Sequence, residues 1–442
     1  MKLYPIRLIA AFLWNRLYIP LMLICAVLLT LRCRALQLRA MPSLLGKTIF
    51  SRSSENNEKM RSFRACATAL SSSVGTGNIV GTAQAIALGG PGALFWMWVS
   101  AFGGMIIKYA EVCLAVSSDS ERNSGQPMAY IERALGCKAA ARFFAVFTVL
   151  SSLGIGNAVQ VRCISDAAAP LLPFPCEIAP ALTAFILASA SLLIFCGGTL
   201  GTGRLSAVLF PCMSLVFIVS AVCVIGANLE RLPQVFSLIV TDAFSPRCLL
   251  GSGLSWGIRR AAFSNEAGFG SAALAHGTAY SSSPAEHGLW GIFEVFADTI
   301  VICSLTGITI LCCPLPLPYG SLVGAEVYTE ALSTVLGGRA AEMITAAVLI
   351  LFAFSSLAGW SMYGGICAEY LFGAFGRRAY ELLFISIIFL SLIMSTEFIW
   401  LTSDLFNALM ALPNLVSLIL LSGSVGNTSR KLKLDESYKK SI

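Results

Sequence analysis

Apolar runs of about 20 residues recur along nearly the whole chain, parted by short polar or Gly- and Pro-rich stretches. That pattern predicts an all-α polytopic membrane protein. Inside lipid the helical period of apolar positions is uninformative, so spans are read by length and by polar interruption. The reading gives about 11 transmembrane helices: 17–31, 64–88, 92–116, 142–165, 178–196, 203–226, 250–276, 288–313, 341–371, 380–396 and 399–421. Turn residues mark the connections, as in Gly89-Gly-Pro-Gly92, Pro170 to Pro175 and Pro314-Leu-Pro-Leu-Pro318. The first run has a basic flank but no small-residue cleavage site, so it reads as a retained helix rather than a signal peptide. No polar stretch is long enough to fold alone, which predicts one integral domain over residues 1–442.

Two spans break the pattern. Within 64–88 the stretch Ser71 to Gly81 sets Gly75, Gly77 and Gly81 beside serines, Thr76 and Asn78. Within 250–276, Asn265, Glu266, Gly268 and Gly270 interrupt the apolar run. Glycine lowers helix propensity, and unsatisfied backbone is tolerated at membrane depth only where it faces protein, water or a ligand. Both spans are therefore expected to be discontinuous. With the first helix set aside, they are numbers one and six of ten and run in opposite directions. Interrupted helices at matching places in two inverted halves point to a transporter binding site at the bilayer midplane. The expected organisation is an extra N-terminal helix (17–31), a 5+5 inverted repeat (64–226 and 250–421) and a basic tail (422–442).

Charge sets the expected orientation. Of 30 Lys and Arg, twenty fall on one set of alternate loops and six on the other, while Lys108, Arg162, Arg259 and Arg260 lie within spans. The positive-inside rule places the richer set in the cytoplasm, with the N-terminus outside and the C-terminal tail inside. The same rule accounts for the net charge of +7 without a nucleic-acid partner. Most of the fifteen cysteines lie in apolar runs, where free cysteine behaves as a small hydrophobe, and there are only two histidines. Neither a disulfide framework nor a metal centre is read from them.

Several strings, taken in order, resemble the alanine/glycine:cation symporters. They are Gly75-Thr-Gly-Asn-Ile79, Ala85 to Gly92, Lys108-Tyr-Ala-Glu111, Gly154-Ile-Gly-Asn157 with Gln160, Phe263-Ser-Asn-Glu-Ala-Gly268, Gly288 to Phe296, and Asn407 to Asn414. The match runs from about Leu36 to Leu421. The resemblance implies the fold of the leucine-transporter-like symporters and sodium-driven, alternatively proton-driven, import of alanine or glycine through the plasma (inner) membrane. No cofactor is expected beyond the coupling ion. Phe269 stands where the family carries a smaller aliphatic residue, which would narrow the substrate range if it lined the pocket.

An amino-acid zwitterion needs hydrogen-bond donors for its carboxylate and acceptors for its ammonium. A helix restarting at Gly75, Thr76, Gly77 and Asn78 offers free N–H groups and a positive dipole end; carbonyls beyond Phe263, at Asn265 and Gly268, offer acceptors. Packing by small residues is the competing account of the glycines. A dinucleotide fingerprint is excluded because no strand precedes the glycines. The resemblance assigns Gln160 to the substrate, whereas Asn157 is equally well explained by a bond to another helix. Sodium prefers oxygen ligands, so Ser355 and Ser356 opposite unwound carbonyls at Ser71 and Val74 form the expected cation site, as in the leucine-transporter-like symporters. Trp360, one turn on, would cap the side-chain pocket. Arg259 and Arg260 with Asp404 would form an outer gate, with snorkelling as the rival explanation of the arginines. Lys108 and Glu111 are expected to pair along one helix. Glu266 is expected beside the two arginines, and Glu294 and Asp298 are like charges in need of a partner. Two readings come from other classes: a membrane-embedded enzyme using Glu266 and Asp298, against which stand the lack of a metal-ligand set, a nucleophile motif and an exposed catalytic loop, and a sensor that binds an amino acid without transporting it.

Overall fold

The computed structural model describes residues 3–44, 48, 56–117, 126–171, 178–279, 283–314, 319–321 and 323–432. Every regular element among them is helical. Seven helices are long and apolar enough to cross a membrane. The principal elements are α1 (Tyr4–Arg32), α2 (Asn56–Ser73), α3 (Thr82–Gly89), α4 (Gly92–Ser117), α5 (Pro127–Leu135), α6 (Lys138–Ala168) and α7 (Ile178–Ala227). They continue as α8 (Leu232–Ala243), α9 (Gly253–Asn265), α10 (Ser271–His276), α11 (Pro284–Cys312), α12 (Glu326–Leu336), α13 (Gly338–Leu390) and α14 (Thr396–Ser429).

Several expected boundaries move. The first helix begins at Tyr4 rather than residue 17, and the last runs to Ser429, so residues 422–429 are helix and not tail. The remainder of the expected tail, from residue 433, lies outside the described residues, as do most of the Pro170–Pro175 and Pro314–Pro318 connections. The expected loop at 197–206 is reduced to one residue, Gly198 (φ 58°, ψ −161°), inside the 50-residue α7. Gly373 (φ 64°, ψ −157°) does the same in the 53-residue α13, and the span expected at 380–396 ends at Leu390. Each of these helices has the length of two crossings, and its glycine turns the chain through a backbone conformation that side chains resist. Three of these helices, α5, α8 and α12, occupy segments read as loops.

The order of elements repeats. A broken helix (α2–α3), a long helix (α4), a short one (α5) and a long one (α6) recur, after α7 and α8, as a second broken helix (α9–α10), a long helix (α11), a short one (α12) and a long one (α13). The central apolar core gathers side chains from α1, α4, α9, α10, α11, α13 and α14 around the second break. A second cluster packs α2 and α3 against α7, α11, α12 and α13. Trp14 and Tyr18 of α1 are fully buried, so the N-terminal helix is part of the core and not an appendage.

Candidate functional site

The first break lies at Val74-Gly75-Thr76, between α2 and a wide π-type turn, Gly77–Gly81, that leads into α3. The Gly75 N–H donates to Asn78 Oδ1 (2.9 Å), so one orphaned amide is satisfied from within the turn. A side chain at Gly75 would overlap Ser356 Oγ, which explains glycine there. The end of α2 meets α13 through two parallel bonds: Ser355 Oγ donates to Ser71 O (3.0 Å) and Ser356 Oγ to Ser72 O (3.0 Å). Ser71, Ser355 and Ser356 thus come together at the break, with Val74 fully buried beside them. Thr76 Oγ1 donates to Gln160 Oε1 (3.4 Å), and Gln160 Nε2 donates to Ile155 O (2.9 Å) on the same helix. Gly77 faces the ring of Phe263.

The second break runs from Glu266 to Gly270, between α9 and α10. Glu266 (φ 55°), Gly268 (φ 91°) and Gly270 (φ 78°) all take left-handed backbone conformations there. Its polar groups are held from every side. Lys108 Nζ donates to Asn265 O (2.6 Å), Tyr18 OH to Ala267 O (2.7 Å) and Asn414 Nδ2 to Gly268 O (2.9 Å). The Gly270 N–H donates to Glu111 Oε1 (2.9 Å), which also accepts from Asn414 Nδ2 (2.6 Å). Satisfying freed backbone with neighbouring side chains is what makes such a break tolerable at membrane depth.

Asp298 joins the two breaks. Its Oδ1 accepts from Asn78 Nδ2 (2.7 Å), and its Oδ2 from Ser264 Oγ (2.8 Å) and Thr299 Oγ1 (2.9 Å). Asn265 Nδ2 in turn donates to Thr299 Oγ1 (3.1 Å). The structure therefore spends the Asn78 amide on the Gly75 N–H and on Asp298.

The other residues fall at different depths. Trp360 is buried and donates from Nε1 to Glu266 Oε1 (3.1 Å), whose other oxygen accepts from Ser271 Oγ (2.5 Å). Arg259 is ion-paired to Asp404 and lies over the rings of Trp14 and Trp256. Arg260 is 6% exposed, stacked among Trp256, Phe263 and Trp400, and its Nε has no hydrogen-bond partner among the described residues. Arg259, Arg260 and Asp404, the residues expected to form a gate, all line a cavity of about 880 Å³ beside α3, together with Trp400. A smaller cavity of about 310 Å³ lies at the other end of the broken helix, beside Arg61, Arg64 and Thr68.

Two expectations change, and two readings left open are decided. Lys108 does not pair with Glu111: it faces Glu294 (3.5 Å) across to α11, while Glu111 turns to Gly270 and Asn414. Glu266 is not beside the arginines; the left-handed turn at its own position aims it at Ser271 and Trp360. Phe269 does not line the pocket but packs in the core against Trp14 and Tyr18 of α1. Asn157 bonds another helix, through Phe384 O (2.7 Å). Asn414 is an organising polar residue that the linear reading left without a role, and Asp298 and Glu111 organise the breaks through partners that it did not foresee. For the two acids the signal was there, since an ionisable group inside a span is a functional candidate by default.

A bundle of long apolar helices, with two interrupted helices meeting at a buried polar centre, defines a multi-pass membrane transporter. The family model for the sodium:alanine symporter family matches residues 4–441, and the chain belongs to that family. It is 34% identical over 438 residues to the sodium/alanine symporter AgcS of Methanococcus maripaludis, with 95% of each chain covered. It is 33% identical over 426 residues to the probable sodium/glutamine symporter GlnT of Bacillus subtilis, covering 93% of this chain and 86% of that one. The amino-acid carrier protein AlsT of Bacillus subtilis is 35% identical over 376 residues, covering 83% of this chain and 79% of its own. Among solved structures, the Eremococcus coleocola manganese transporter superposes with a TM-score of 0.55 at 13% identity, covering 88% of this chain and 85% of that one. At that identity the likeness is one of fold alone.

Proposed function

We propose that the chain imports a small neutral amino acid, alanine or glycine, coupled to sodium, by alternating access. The observation that carries this reading is the junction at the first break. There the Ser71 and Ser72 carbonyls meet the Ser355 and Ser356 hydroxyls, one residue pair away from Gly75, Thr76 and Gln160. Oxygen donors from two elements suit a hard monovalent cation. The adjoining break offers a helix start for a carboxylate, and the carbonyl-rich second break offers acceptors for an ammonium. Phe263, Asn265, Gly268 and Trp360 complete the substrate side, and Val74 the cation side. The relatives named sodium/alanine and sodium/glutamine symporters support the substrate class.

In this reading residues 64–226 and 250–421 are the two inverted halves, and the repeated element order supports that division. The N-terminus is outside and the C-terminus cytoplasmic. The larger cavity is then the outer vestibule, with Arg259, Arg260 and Asp404 at its floor. Sodium binding fixes the first break, the amino acid binds, and the bundle of broken helices rocks to open inward. The test is uptake of labelled alanine into proteoliposomes. Accumulation that needs an inward sodium gradient supports the reading; uptake indifferent to sodium, or binding without uptake, refutes it.

A further inference from the structure

The chain has two histidines, and the fold brings them together. His287 Nε2 and His276 Nδ1 are 2.9 Å apart, and His276 Nε2 is 2.6 Å from Glu294 Oε1. At the far side Ser62 Oγ is 3.2 Å from His287 Nδ1. Glu294 Oε2 faces Lys108 Nζ at 3.5 Å, and Lys108 holds the Asn265 carbonyl at the second break. All five side chains are at least nine-tenths buried. Four elements contribute: α2 (Ser62), α4 (Lys108), α10 (His276) and α11 (His287 and Glu294).

We propose that this relay is a proton-binding site, loaded from the side of α2's first turns and acting on the clamp of the second break. The inference rests on the reading of the chain as a sodium-driven carrier of amino acids. The hydrogen-bond order assigns the resting state. With Glu294 ionised, His276 donates from Nε2 to Glu294, His287 donates from Nε2 to His276 Nδ1, and Ser62 donates to His287 Nδ1. That leaves the His287 Nδ1 lone pair as the one ring position where a proton can enter. An arriving proton binds there, the His287 Nε2 proton passes to His276 Nδ1, and the His276 Nε2 proton passes to Glu294. One proton enters and one carboxylate is neutralised; both rings end neutral with their tautomers exchanged.

The consequence falls on Lys108. Its ammonium loses its ion-pair partner and is left holding the Asn265 carbonyl with one support fewer. The smaller cavity supplies the entry point: Arg61, next to Ser62, and Thr278, two residues beyond His276, line it. Other ionisable groups face the relay from each packed element. Cys66 of α2 and Tyr363 of α13 lie within the field of Glu294, and Glu111, Glu266 and Asp298 lie within that of Lys108. The carboxylates in this set favour keeping a proton close by, whereas Lys108 opposes a second one.

Sodium-driven alanine uptake into proteoliposomes, with equal pH inside and out, tests the proposal. The wild type should run about threefold faster near pH 6 than near pH 8, and His287→Gln should flatten that ratio towards about one while keeping the rate near pH 8. A wild type indifferent to pH, or a His287→Gln protein that keeps the full slope, overturns it. Histidine-labelled wild type in nanodiscs gives a second readout by NMR, independent of transport and of whether the variant folds. Exchange of the ring tautomers between about pH 8 and 6 supports the relay, and two rings unchanged across that range refute it. If no sodium-driven uptake is found at all, the carrier reading fails, and the NMR titration still decides whether the relay binds a proton.

Discussion

Replacing Ser355 and Ser356 together by alanine separates a cation site from a merely structural junction. Each hydroxyl donates to a carbonyl at the end of α2, at 3.0 Å in both cases. Two buried hydrogen bonds contribute about 1 kcal/mol each, so a structural role alone costs about 2 kcal/mol of stability. That cost is the same in sodium and in potassium. A cation site adds a sodium-specific loss. Sodium at about 100 times its Kd stabilises the folded state by about 2.7 kcal/mol, and a tenfold weaker site reduces this to about 1.4 kcal/mol. The thermal midpoint difference between sodium and potassium buffers should therefore fall to about half in the double variant. In uptake assays the half-saturating sodium concentration should rise about tenfold, and the alanine KM should recover when sodium is raised in proportion. A double variant that is folded, transports, and keeps the wild-type sodium response refutes the assignment.

Gly75→Ala should cost about 1–3 kcal/mol and sharply reduce uptake, because the added methyl overlaps Ser356 Oγ; thermal melting and transport on one preparation check this. Asp404→Asn breaks the pair with Arg259 at the vestibule floor and should leave the protein more open to the outside. Cysteines placed along the cavity and labelled by an impermeant thiol reagent measure that, and unchanged labelling counts against a gate. Lys108→Met strips the ammonium from both the Asn265 carbonyl and Glu294, and should destabilise by about 3–5 kcal/mol, as removal of one partner of a buried ion pair does. Denaturant titration in detergent is the measurement, and near wild-type stability would show that the clamp is unimportant.

The features legible in the sequence were those set by local chemistry. Glycines beside Ser, Thr and Asn cannot continue a lipid-facing helix, so both breaks were visible, and they fall at 74–76 and 266–270. Paired serines at 355 and 356, and the acid at 404, were also visible as polar positions in apolar runs. What linear reading missed depends on how helices are rotated against one another. Spacing of three along α4 suggested that Lys108 faces Glu111, but α11 approaches on the lysine side and supplies Glu294 instead. Whether Phe269 lines the pocket is not written in its neighbours; the left-handed residues on either side of it turn the ring towards α1. The histidine pair has no periodic signal, since the two belong to different helices joined by a short connection. Gly198 turns α7 inside a Gly- and Thr-rich stretch that reads as a loop, and its neighbours Gly197, Gly201 and Gly203 hid which one bends.

Electrostatics links these parts into a cycle. Around the two breaks the fold buries four carboxylates, Glu111, Glu266, Glu294 and Asp298, against one ammonium, Lys108. Isolated charges at this depth are costly, and like charges raise the cost for one another. A zwitterionic substrate brings no net charge, so it cannot offset the excess. A cation or a proton can, and each has a separate place. On the proposed reading sodium sits where α2 meets α13, beside the first break, whereas a proton enters through the histidines and reaches the carboxylate that pairs with Lys108 beside the second. Asp298 bonds groups from both breaks, so a change at either is felt at the other. Coupling is then reciprocal: a cation that orders the first break improves the substrate's fit there, and the bound substrate tightens the cation by the same factor. Neutralising Glu294 works in the opposite sense, by loosening the second break after loading. On these proposals the two charges favour different stages of one turnover: sodium the capture of substrate, and the proton, when bound, a faster release.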